Sequence, residues 1–87
     1  MNVLEQDREL AEKIWGCGCL YLDYARVAWV NGQFDEADRW VEEYRRCRRE
    51  LDELLRRKRE HDQLAELIAT LQERGINITA IIGKGNE

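Results

Sequence analysis

Three cysteines and one histidine are the side chains of this sequence best suited to hold a metal or cycle electrons, so their spacing is the first question. Cys17 and Cys19 lie within Gly16-Cys17-Gly18-Cys19, Cys47 follows at a distance, and His61 is the sole histidine. Thiolate and imidazole sets of this kind bind zinc when they converge. On a helix, residues two apart differ by about 200° around the axis, so Cys17 and Cys19 face opposite sides. Cys47 and His61 stand about 21 Å apart along one straight helix. No metal site and no cofactor are therefore expected. Gly16 and Gly18 read instead as small residues that give a bulky neighbour such as Trp40 or Tyr44 room, since glycine inside a helix is otherwise unfavourable. No nucleophile, base and orienting group share a recognisable catalytic spacing, so no catalytic residue is expected either. His61 with Lys58 reads as a polar layer that sets register in an apolar seam, with a pH-sensitive seam as the alternative.

A second set is electrostatic. Between Arg45 and Arg59 stand eight bases, with Glu50, Asp52 and Glu53 as the only acids. Arg45, Arg48, Arg49, Arg56, Arg57 and Arg59 are the candidates for tracking a nucleic-acid backbone. The whole chain nevertheless carries a net charge of −4, which weakens any general attraction to a polyanion. Many bases also have acids at helical spacing: Glu42–Arg46, Arg46–Glu50, Arg48–Asp52, Arg49–Glu53, Asp52–Arg56 and Glu53–Arg57. Such pairs are the ordinary surface of a solvated helix.

The aromatic residues form the third set, and all seven lie in the first half of the chain. Three tryptophans exceed what a two-helix contact can cover, and surplus aromatic surface is what binding interfaces favour. Trp15, Tyr24, Trp29, Trp40 and Tyr44 are the expected protein-binding residues.

The elements that must position these side chains are helical. Leu4, Ala11 and Ile14 keep helical spacing among Glu5, Asp7, Arg8, Glu9, Glu12 and Lys13, which predicts a helix over about residues 3–30. From Ile14 onward its apolar residues point all around the wheel, so more than one side must be covered. Asn31-Gly32 stops it. The turn spans about 31–35, with Asp35 as the expected N-cap and Asp38 completing an imperfect capping box. The second helix is expected over about 36–74, with a heptad register through Trp40, Tyr44, Cys47, Leu51, Leu54, Lys58, His61, Ala65 and Ile68. It either runs unbroken or bends near Arg59–Asp62; the absence of Gly and Pro there favours the unbroken form. A helix of that length overhangs the first. Leu51, Leu54, Leu55, His61, Leu64, Ile68 and Leu71 are therefore the expected self-association residues. Gly75 closes the helix, Ile76 is placed to cap it against Leu71, and the tail 75–87 is a short turn or arm.

Gly32-Gln33-Phe34-Asp35-Glu36-Ala37 resembles the inter-helix turn of a tetratricopeptide repeat, with Tyr21 and Ala25 where that repeat prefers an aromatic and a small residue. The resemblance covers about 30 residues, of a repeat that is stable only in about three copies. It implies a helical hairpin. Val41 and Tyr44 depart from the repeat's usual aromatic and alanine, and no proline ends the second helix.

Length and composition close the argument. A chain of 87 residues makes one domain and leaves no room for a two-domain cleft. Charged residues at 37% with apolar residues at 44% exclude simple disorder, and the lack of proline excludes collagen-like and proline-rich classes. The apolar stretch Ile14–Val30 contains Asp23 and Arg26 and falls short of the ~20 clean apolar residues of a membrane span. Met1–Asp7 is acidic where a secretory leader needs a basic start. An odd number of cysteines fits reduced thiols and a cytoplasmic location. The sequence thus predicts a single all-α domain, residues 1–87: a coiled-coil-like helical hairpin with a long second helix and a short tail, associating as a dimer of hairpins. Its expected role is a non-enzymatic adaptor, scaffold, regulator or inhibitor that binds protein in the cytoplasm. The alternative is a nucleic-acid-binding accessory that uses Arg45–Arg59.

Overall fold

Two helices account for nearly all of the computed structural model, which describes residues 1–75. After a short extended start, a single 3-10 turn at Glu5–Asp7 leads into α1, Arg8–Val30. The longer α2, Phe34–Glu73, then runs back along it. Its 40 residues make a rod of about 60 Å. The all-α hairpin with a long second helix is thus the observed fold. The second helix is unbroken through 59–62, because nothing there removes a backbone hydrogen bond or frees a left-handed residue. The expected tail beyond Gly75, including the Ile76 cap, lies outside the described residues.

The turn is a Schellman motif. Gly32 takes φ +76°, its N–H donates to the Trp29 carbonyl at 3.0 Å, and the Gln33 N–H donates to the Ala28 carbonyl at 2.8 Å. The Gln33 carbonyl then accepts from the Ala37 N–H at 2.9 Å, which starts α2. This corrects the expected Asp35 cap. Closing the motif through Gln33 makes that residue the N-cap, with no side-chain capping bond. Asp35 and Glu36 fall inside the first turn, where the helix dipole favours acids.

The contact between the helices follows two facing heptad series. On α1 and the turn before it, Asp7, Ala11, Ile14, Gly18, Tyr21, Ala25 and Ala28 alternate in steps of four and three, and all but half-buried Tyr21 are buried. On α2 the series is Ala37, Trp40, Tyr44, Cys47, Leu51, Leu54 and Lys58, all buried or half-buried. The α1 series is made largely of small residues, so large α2 side chains can lie across it. The core itself is thin. Ala11, Ile14 and Leu54 form its buried cluster, with Val3, Cys47 and Leu51 packed against it. Fully burying Ile14 and Leu54 contributes about 1.5–3 kcal/mol each.

Beyond Lys58 the seam ends. Every residue from His61 to Leu67 is exposed, with Leu64 at 57% and Leu67 at 54%. The overhang expected from the sequence is therefore present. No helix among the described residues is long and apolar enough to cross a membrane.

Candidate functional site

Trp40 locks the hairpin near the turn. Its ring stacks on Tyr21 with centroids 5.7 Å apart, meets Tyr24 at 4.8 Å in a tilted pair, and carries the Arg39 guanidinium 5.7 Å from its centroid. Burial, followed by the nearby Cys17, Cys47 and Glu43, pushes the Tyr21 phenol above its ordinary range. Tyr44 is half-buried and lies 3.8 Å from the position a Gly18 Cβ would occupy. Trp40 and Tyr44 are thus engaged within the hairpin.

Trp15 and Trp29 are not. They are 60% and 65% exposed, and Leu22, midway between them, is 45% exposed. Trp15, Leu22 and Trp29 recur every seven residues, so they form one stripe along the flank of the α1 seam. Phe34 continues this flank across the turn, its ring 4.8 Å from Trp29. Val41, Arg48 and Leu55 repeat at the matching heptad position of α2. Between the stripe and α2 runs an apolar groove whose walls include Trp15, Cys19, Leu22, Tyr44, Arg48 and Leu51. Its one charge, Arg48, is held by Asp52 at 3.2 Å. Tyr24 is 42% exposed and opens on the other side of α1, beside Val27, Glu36 and Trp40.

Cys17 and Cys19 fall on opposite sides of the seam, because Gly18 between them is the residue that faces α2. Cys19 borders the groove just described, while Cys17 borders a second one with Tyr21, Glu43 and Cys47. Among the described residues no group of three or more His, Cys, Asp or Glu side chains could hold a metal ion. Burial between the helices, then the neighbouring Cys17, raises the Cys47 thiol above its ordinary value. One detail of the glycine expectation changes. Gly18 does face Tyr44, but Gly16 points to open space, with nothing within 4 Å of a built Cβ.

The basic residues of α2 are mostly paired, though not as the spacing predicts. Arg48–Asp52 forms as expected. The others are replaced by Arg45–Glu42 at 3.0 Å, Arg46–Glu43 at 3.4 Å, and Arg56 with both Glu53 and Glu60. Positions three apart are as close as positions four apart, so the competition is decided locally. Arg57 leaves Glu53 for a partner the sequence reading missed, the buried Asp7, at 3.3 Å across the hairpin. Among the described residues Arg49 and Arg59 have no ion pair. Arg45, Arg49, Arg56 and Arg59 share the outer face of α2, away from the seam.

His61 is exposed on the overhang, with Nδ1 3.5 Å from Asp62, whose carboxylate also accepts from Lys58 at 2.8 Å. It sets no register within this chain. Leu51 and Leu54 pack on α1, Leu55 is half-buried on the flank, and Leu64, Ile68 and Leu71 lie on the overhang. The structure therefore splits the expected self-association residues between the hairpin seam and the overhang. A signal for the flank was present in the seven-residue recurrence of Trp15, Leu22 and Trp29. The Asp7–Arg57 pair, 50 residues apart in sequence, left no local signal.

No protein-family model matches this chain, and comparisons with curated proteins and with solved structures give no match.

Proposed function

We propose that this chain acts without catalysis, as a small helical adaptor, scaffold or regulator that works by binding protein. One observation carries the reading: two tryptophans more than half exposed and a leucine nearly so, aligned at heptad spacing beside an apolar groove. Such surface is costly to leave in water, and Trp is the residue type most enriched at binding hot spots. The flank holds little free charge, which suits a dry contact rather than a charged ligand. Three free thiols fit work in the reducing cytoplasm. Inhibition of a larger protein is one form this binding can take.

The second reading, nucleic-acid binding, is favoured by the outer-face cluster of Arg45, Arg49, Arg56 and Arg59. Ion pairs on Arg45 and Arg56 reduce what that cluster offers. The two readings separate on immobilised protein. Wild type, Trp29→Ala, and a variant with Arg45, Arg49, Arg56 and Arg59 changed to Gln are exposed to cell extract and to random-sequence DNA and RNA. The binding reading expects protein retained through salt washes by wild type and the Gln variant, and lost with Trp29→Ala. Retention of nucleic acid that falls steeply with salt and vanishes in the Gln variant would replace it with the second reading.

A further inference from the structure

We infer that the occupant of the Trp15–Leu22–Trp29 flank is a second copy of this chain, packed antiparallel about a two-fold axis at Leu22. This deepens the protein-binding reading above and rests on it. The spacing is the first argument. Leu22 lies seven residues from each tryptophan, so the stripe reads the same in both directions. Laid antiparallel on itself, it sets Leu22 against Leu22 and places Trp15 of each copy on the Trp29–Phe34 pair of the other. A surface that is its own complement under a two-fold rotation is what an isologous dimer requires.

The second argument is area. Trp15, Leu22, Trp29 and Phe34 are 60%, 45%, 65% and 53% exposed. With aromatic side chains carrying ~150–250 Å² each, the flank offers roughly 500 Å² per copy. Two copies bury about 1,000 Å², the lower bound for a biological interface and the size of a weak, concentration-dependent one. Need is the third argument. A hairpin whose buried cluster among the described residues is Ala11, Ile14 and Leu54 has a thin core for its length, and pairing two such hairpins adds a further apolar layer. Charge does not oppose the arrangement. Arg48 is neutralised by Asp52, and Arg26, four residues past the axis, falls opposite the uncharged Gly18 of the second copy.

The test is molar mass by sedimentation equilibrium from micromolar to millimolar, on wild type, Leu22→Arg and Leu67→Arg. Wild type is expected at twice 10.4 kDa, with tryptophan emission shifting to the red as dilution dissociates it. Leu22→Arg sets two cations face to face on the axis and is expected to weaken association at least ~100-fold while far-UV circular dichroism stays helical. Leu67→Arg, on the overhang, is expected to leave the mass unchanged. A wild-type monomer at every concentration overturns the inference. So does a dimer that survives Leu22→Arg and dissociates with Leu67→Arg. If Leu22→Arg fails to fold, the wild-type emission decides: a dimer whose tryptophans do not shift on dissociation is joined elsewhere, and the inference fails. A monomer that still retains a foreign protein through Trp29 ends the second-copy inference and leaves the binding reading standing.

Discussion

Asp7 is 6% exposed, and the only cation it meets among the described residues is the half-exposed guanidinium of Arg57. An exposed ion pair contributes little, but a buried carboxylate left without its donor costs more. Arg57→Gln is therefore expected to destabilise the hairpin by about 1 kcal/mol, a discounted figure because Arg57 itself is screened by water. Arg56→Gln, which breaks only exposed pairs, should not shift a urea midpoint measurably. The glycines give the opposite sign. A Cβ at Gly16 meets nothing, so Gly16→Ala should stabilise by up to about 1 kcal/mol in the same titration. At Gly18 the added carbon would meet Tyr44 at 3.8 Å and Cys47 at 3.9 Å, ordinary contacts that tolerate Ala and leave little room for Leu. Thiol chemistry separates the cysteines. The raised Cys47 holds less thiolate near neutral pH, so iodoacetamide should modify the exposed Cys17 and Cys19 first, in an order that peptide mass spectrometry reads.

At the scale of the element, α1 and α2 solve different problems. α1 presents a seam of small residues and an apolar flank, so its helical form depends on what covers it. α2 is held along its first two thirds by α1, whereas the overhang has helical-spacing ion pairs only where it begins, Arg56–Glu60 and Lys58–Asp62. Backbone amides of 61–73 should accordingly exchange faster with deuterium than those of 37–58, since local stability follows packed contacts. Acid should weaken α2 further, on either side of the point where the overhang begins. Hydrogen bonds from Arg56 and Lys58 hold Glu53 and Asp62 below the usual carboxylate range. Groups depressed on folding contribute stability that is present above their unfolded values and is lost as pH falls through the folded ones. Helical ellipticity should thus drop as pH passes below about 4, with Lys58→Gln removing part of that step. The tetratricopeptide-like turn delivered its hairpin, but through Gln33 rather than Asp35, because the Schellman bonds consume the residues where a capping box would begin.

For the whole molecule, the decisive quantity is how little the chain buries by itself. Among the described residues no large side chain is fully buried, while Trp15 and Trp29 stand open on one flank. If a second copy closes that flank, folding and association are one equilibrium, and the thermal midpoint should rise with protein concentration in a way a monomer's cannot. Raising salt should leave that midpoint nearly unchanged, because the closing surface is apolar and its one groove charge is already paired.

The sequence by itself determined the two helices, the Asn31-Gly32 stop, the unbroken second helix and its heptad register as far as Lys58, because helical periodicity and stop signals are written within a few residues of where they act. That the seam ends before His61 and Ala65 follows from the shorter α1. It also showed that the aromatic residues outnumber what a hairpin needs. Which of them remain free was decided only by the tertiary structure. Trp40 is taken up between Tyr21 and Tyr24, whereas Trp15 and Trp29 fall one heptad position off the seam. The choice of Asp7 by Arg57 belongs there too. A contact between residues 50 apart is set by where two helices come to lie, and no spacing within either helix encodes it.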